Sequence, residues 1–165
     1  MSSAGMPSTG ESQFRATVGQ IAEAIGDRPL DADLERFLQS TFPPGETNFD
    51  DLEQLVLNGV KEGWLCARTA GGIAYGRAVK PGQEAGTFSV DVVVMDNIAG
   101  PHHIHTTGEI GMIMPLTGAP MFDGKPRGWY VYPPGSAHFP TVTGGKACIL
   151  YLLPEGAIAF TGQKA

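Results

Sequence analysis

Hydrophobic positions follow two different periods along this chain, and the change falls near residue 63. Between Glu11 and Gly63 the spacing is helical. Phe14, Val18, Ile21 and Ile25 recur at intervals of four, three and four, which places them on one face of a helix. Leu34, Phe37 and Leu38 mark a second, short helix that starts at Asp31 and stops before the "FPPG" breaker. A third, with Asn48 as its N-cap and Asp51 at the capping-box position, presents Leu52, Leu55, Val56 and Val60 and ends at Gly63. Each helix has a single apolar face, so all three need a surface to pack on.

From Trp64 onward, short runs rich in Val, Ile, Tyr and Trp alternate with Gly- and Pro-containing turns. The runs are "WLCAR", "GIAYGRAVK", "TFSVDVVVMD", "EIGMIMPL", "GWYVYP", "ACILYLLP" and "AIAFTG". About seven strands with no helix between them predict an antiparallel sandwich or barrel and argue against a parallel α/β sheet. The organisation expected is one structural domain: a polar disordered tail over 1–10, a helical segment of two to three short helices over 11–63, and a β-barrel over 64–165.

Composition narrows the function classes. With 42% hydrophobic and 17% charged residues the chain is globular. A formal charge of −6 without a Lys/Arg run argues against nucleic acid and anionic membrane as partners. There is no signal-peptide pattern and no apolar run of spanning length, so a cytoplasmic protein is expected. Cys66 and Cys148 sit in apolar runs and read as buried free thiols.

Histidine placement points to chemistry. Three of the four histidines lie in "PHHIHTTGE", and the fourth, His138, lies in "PPGSAHFPT". In a strand, His103 and His105 point to one side while Ile104 faces the other. Glu109 follows a short turn, after which the next strand is expected to return alongside. Together, His103, His105, Glu109 and His138 offer three imidazoles and a carboxylate, a mixed N/O set suited to Fe, Mn, Co, Ni or Zn. Without thiolates it does not read as a structural zinc clamp. His102 has the opposite parity and is expected at the surface or behind the ligands.

These two pieces resemble the paired motifs of the cupin superfamily. His103, Ile104, His105 and Glu109 match the centre of its first motif, and Gly128, Pro133, Gly135 and His138 match the second. Framing positions depart from the pattern at Asn97, Leu116 and Val142, while all four ligand positions are kept. The stretches "EGWLCAR", "GGIAYGR", "FSVDVV", "GPHHIH", "PPGSAH" and "LYLLPEGAIAF" further resemble the 4-hydroxylaminobenzoate lyase family, from about Asp27 onward. The resemblance implies a mainly β fold, a single cupin-like antiparallel barrel of jelly-roll type. It also implies one divalent transition metal per chain (Fe or Mn favoured, Zn, Co or Ni possible), a homo-oligomer, and conversion of 4-hydroxylaminobenzoate to protocatechuate and ammonia. Two other functions stay open: an Fe(II)-dependent dioxygenase acting on a small aromatic, and a non-catalytic small-molecule binder.

Candidate roles follow for the remaining residues. Glu109 is either the fourth ligand or, if it dissociates, an acid/base. Tyr75 is the second acid/base candidate, with core packing as the alternative. In "GIAYGRAVK", Ile73, Tyr75, Arg77 and Val79 share one face, expected to point into the barrel. Arg77 there needs an anion, either the carboxylate of a small aromatic substrate or an ion pair with Glu84, Asp91 or Asp96. Trp129, Tyr130 and Tyr132 are candidates to wall the substrate, Trp129 and Tyr132 foremost.

Overall fold

The computed structural model describes residues 9–165. The tail expected over 1–10 lies outside the described residues up to position 8, and α1 (Thr9–Ile25) already opens at Thr9. Phe14, Val18, Ile21 and Ile25 form its buried face, as the spacing predicts. In α2 (Ala32–Thr41), Asp31 is the N-cap and its carboxylate accepts the Leu34 N–H at 3.0 Å. The start of α3 (Thr47–Glu62) differs from expectation. Glu46, not Asn48, occupies the N-cap position and makes no side-chain cap. Asp50 instead accepts the Gly45 N–H at 2.9 Å, closing the Pro43–Gly45 turn back onto the helix. Arg127 donates to Asp50 and Glu53, both at 2.7 Å, and so ties the helix to the β region.

Nine strands follow, all pairing antiparallel. The large sheet contains β1 (Arg68–Ala70), β2 (Ile73–Val79), β3 (Phe88–Ala99), β5 (Glu109–Phe122), β6 (Gly128–Tyr132) and β8 (Thr141–Pro154), in the order β1-β2-β3-β8-β5-β6. The small sheet contains β4 (His103–His105), β7 (Ser136–His138) and β9 (Ala159–Phe160), in the order β7-β4-β9. This is the mainly β, cupin-like arrangement expected, with two strands more than the hydrophobic runs mark. The extra pieces, β4 and β7, are three residues long and carry the histidines, so they show no hydrophobic run of their own.

Alternation divides the large sheet into two buried faces. Val90, Val92, Val94, Met112, Leu150 and Leu152 pack against the three helices. Met95, Ile113, Tyr130, Ala147 and Ile149 form a separate cluster on the opposite face, toward the small sheet. Tyr75 and Arg77 belong to this second face, since they pair in register with Val93 and Asp91. Val79 does not share it. The register shifts between Arg77 and Val79, so Val79 pairs with Val90 and is fully buried on the helical side. Among the described residues, no helix is long and apolar enough to cross a membrane.

The seam between α3 and β1 is close-packed at Gly59. A Cβ there would lie 2.7 Å from Leu65 Cδ1 and 2.8 Å from the Trp64 ring. Gly59→Ala would gain about 1 kcal/mol of helix propensity but incur overpacking of about 1–3 kcal/mol. The expected net result is a Tm lowered by up to about 8 °C, measured by thermal unfolding; a raised Tm would show that the seam yields freely.

Candidate metal centre

The site is assembled where the two sheets meet. In β4, His103 and His105 point inward, 7% and 0% exposed, with Ile104 between them turned the other way. Pairing of β4 with β7 sets His103 directly opposite His138, so three imidazoles come from two adjacent strands. A single carbonyl organises both turns: His105 O accepts the Gly108 N–H at 3.1 Å and the Gly135 N–H at 2.8 Å. The Thr106–Gly108 turn does not return the chain alongside β4. It passes the chain from the small sheet to the large one, where Glu109 opens β5 opposite Tyr132. Gly108 has φ +89°, and a Cβ there would lie 2.8 Å from the Tyr132 carbonyl oxygen, so no larger residue fits this crossing. His138 closes the short β7.

Three Nε2 atoms converge. His103 lies 2.9 Å from both His105 and His138, and His105 and His138 are 3.1 Å apart. Glu109 Oε1 is 2.5 Å from His105 Nε2, and all four ligand atoms lie within 4.8 Å of one another. Burial, with the neighbouring His105 and His138, pushes His103 down to about 3, so at neutral pH its ring is uncharged. Three ring nitrogens in a triangle this tight cannot all be satisfied by hydrogen bonds to one another, since at least one pair must set lone pair against lone pair or N–H against N–H, whereas a cation between them accepts all three lone pairs. Nitrogens about 2.0–2.1 Å from one cation and at right angles about it would be about 3.0 Å apart, which agrees with the observed spacing. The residues present therefore fit a divalent metal ion.

Hydrogen-bond partners fix two of these ligands, His138 and Glu109. His138 Nδ1 and the Tyr132 hydroxyl both donate to Asp123 Oδ2 at 2.7 Å, and the Thr141 N–H donates to Oδ1 at 3.0 Å. Burial by itself would raise the Asp123 pKa, but the hydrogen bonds from His138 and Tyr132 outweigh it and hold the carboxyl below its usual range. An ionised Asp123 requires a proton on His138 Nδ1, which leaves the Nε2 lone pair for the metal. Glu109 is held likewise: the Tyr130 hydroxyl donates a short hydrogen bond to Oε2, leaving Oε1 toward the histidines. Burial and the Glu109 carboxylate push the Tyr130 pKa far up, so it remains a donor. Gly111 makes room for this ring, since a Cβ would fall 2.0 Å from Tyr130.

The ligands open onto an apolar cavity of about 340 Å³, walled by Ile73, Tyr75, Val93, Phe122, Ile149 and Tyr151 among others. Tyr75 stands in this wall, 37% exposed. Tyr132 faces the site with its ring 5.2 Å from His138, but its hydroxyl is committed to Asp123. Trp129 does not reach the site. Its parity is opposite to that of Tyr130 and Tyr132, so it packs between Phe42 and Phe49 and donates its indole N–H to Phe42 O at 2.8 Å. Arg77 adopts the ion-pair alternative: Nε donates to Asp91 Oδ1 at 2.8 Å, and Nη2 to Gly156 O at 3.1 Å. His102 stacks on Phe139 and meets the Thr161 hydroxyl at 2.7 Å, away from the ligands. Cys148 is buried among the helix-side residues, and burial pushes the Cys66 thiol up to about 12, so both are protonated.

Asp123 and the pairing of Tyr130 with Glu109 have no counterpart in the sequence reading. Parity with Tyr132 was a usable signal for Tyr130. None existed for Asp123, which sits at φ +50° in a turn between β5 and β6.

The chain is similar in structure to oxalate oxidase in complex with the substrate analogue glycolate (TM-score 0.43, 22% identity, covering 56% of this chain and 57% of that one). It is also similar to an RmlC-like cupin protein from Ralstonia eutropha JMP134 (TM-score 0.44, 11% identity, covering 57% and 62%). In sequence it is 34% identical over 146 residues to a 4-hydroxylaminobenzoate lyase of Nocardioides sp. (strain LMS-CY), covering 82% of this chain and 86% of the relative. A 4-hydroxylaminobenzoate lyase of Pseudomonas putida is 30% identical over 156 residues, covering 84% and 89%. The family model of PnbB, 4-hydroxylaminobenzoate lyase, matches residues 16–160. With its four converging ligand atoms and this match across most of its length, the chain belongs to the 4-hydroxylaminobenzoate lyase family.

Proposed function

We propose that this protein converts 4-hydroxylaminobenzoate and water to protocatechuate and ammonia, using one divalent transition metal, Fe or Mn foremost, held by His103, His105, Glu109 and His138. The observation that carries the reading is the convergence of those four ligand atoms within 4.8 Å at the end of an apolar cavity. A ring the size of benzoate fits a cavity of about 340 Å³. The reaction is redox-neutral: the N–O bond breaks, a ring C–O bond forms beside the nitrogen-bearing carbon, and hydrolysis releases the nitrogen as ammonia. When bound, the metal supplies Lewis acidity toward the hydroxylamine oxygen and lowers the pKa of a bound water.

This chain's own groups do the rest. Glu109, with one oxygen tied to Tyr130, is held as a ligand and is poorly placed to swing away as a base. That leaves Tyr75, in the cavity wall, as the group that moves protons when the hydroxyl and the ammonia depart. The apolar wall of Ile73, Val93 and Ile149 limits water to what the reaction consumes. Tyr132 contributes by its ring beside His138, while Asp123 and Tyr130 hold the ligand geometry.

Metal-reconstituted protein incubated with 4-hydroxylaminobenzoate without oxygen should release ammonia and protocatechuate in equal amounts; a strict oxygen requirement would instead indicate an oxygenase. His105→Ala and His138→Ala should each lose stoichiometric metal by elemental analysis while keeping a folded far-UV circular dichroism spectrum. Full metal retention in both would remove the site assignment. Asp123→Asn should weaken metal affinity by about 10–100-fold in a competition titration with a chelator, because the neutral amide replaces the charged acceptor that fixes the tautomer of His138 and raises its basicity. An unchanged affinity would show that the tautomer is set elsewhere.

A further inference from the structure

The metal cavity holds no answer to one requirement of an anionic substrate. Among the described residues no Lys or Arg lines it, yet an aryl carboxylate entering an apolar space needs a cation. Of the three arginines in the β region, Arg68, Arg77 and Arg127, two are engaged. Arg77 is bound to Asp91 and Gly156, and Arg127 is clamped between Asp50 and Glu53 on the far, helical side. Arg68 is not: its guanidinium makes no hydrogen bond or ion pair among the described residues.

Its position is informative. Arg68 pairs in register with Tyr75, so the two side chains leave the sheet on the same face. Ala70, two residues along the same strand and on that face, lines the metal cavity. Arg68 itself lines a second chamber, of about 500 Å³, that adjoins the first and shares Tyr75, Tyr151, Ile158 and Phe160 with it. Three cations, Arg68, Arg77 and Lys80, border this chamber against a single acid, Asp91. In a chain of formal charge −6, two net positive charges at one mouth make a local field that draws anions inward.

We infer that this second chamber is the carboxylate subsite of the metal cavity and that Arg68 is the residue that binds the carboxylate. The inference rests on the lyase reading above and adds the orientation of the substrate. The ring lies across the shared wall of Tyr75, Tyr151 and Phe160, with its carboxylate toward Arg68 and its hydroxylamino end toward the histidines. Arg68 presents a planar fork that a carboxylate matches with two hydrogen bonds, which an ammonium does not. Arg77, neutralised by Asp91, borders the subsite without supplying the charge.

The test compares acids with their uncharged amides. Binding of 4-aminobenzoate and 4-aminobenzamide to metal-loaded protein is measured by calorimetry, and KM is measured for 4-hydroxylaminobenzoate and its amide. Arg68→Met should weaken the acid by about tenfold or more in Kd and KM, leave the amide within about twofold, and leave metal content unchanged. Arg68→Lys should recover part of the loss for the acid alone. Equal losses for acid and amide, or no loss for either, overturn the inference. So does a matching acid-selective loss in Lys80→Met with Arg68→Met unaffected. Should the wild type turn over neither substrate, the lyase reading fails by itself, and the binding of 4-aminobenzoate still decides the role of Arg68.

Discussion

The large sheet has to be buried on both faces at once, and the rest of the molecule follows from that constraint. Strand side chains alternate, so one set of Val, Leu and Met residues must meet a partner on one side and a second set on the other. Three amphipathic helices cover the first face. The second closes over the small sheet, and the space left between is the cavity. Because each face excludes water, the carboxylates on the inner face are held in hydrogen-bonded sets. Asp91 with Arg77 and Ser89, Glu109 with Tyr130, and Asp123 with His138 and Tyr132 are those sets.

Those sets also tune charge. The ligand group itself contains one carboxylate beside three imidazoles, and Asp123 adds a second negative charge one hydrogen bond behind them. A divalent cation at the centre is therefore matched by two carboxylates in an otherwise apolar pocket. This balance lowers the desolvation cost of burying the ion, and it explains why the outer carboxylate is as deeply integrated as a ligand.

Much of this was legible because period-two alternation survives in sequence wherever a strand is regular. It placed His103 with His105, and Tyr75 with Arg77, and the structure keeps both pairs together. Reading failed where regularity breaks. A bulge after Arg77 moves Val79 to the other face. Trp129 was grouped with Tyr132 as a wall although they lie three positions apart, and odd spacing sends their rings to opposite sides. The cap of α3, expected at Asn48, falls at Glu46, and Asp50 accepts backward from Gly45 in the Pro-Pro-Gly turn. Asp123 was invisible in principle, since a turn residue with positive φ obeys no periodic rule.

The small sheet consists of strands of three, three and two residues, too few for such a sheet to be stable alone. Three of the four candidate ligands lie in it, and the fourth opens β5 of the large sheet. An ion bound by all four would act as a cross-link between the two sheets, and its binding energy would be shared with the folding of the smaller one. Local order around β4, β7 and β9 would then follow metal supply more closely than the helix-backed sheet does. In a cell, scarcity of the metal would be felt as a loosened rim exposed to proteases before it was felt as a lost fold.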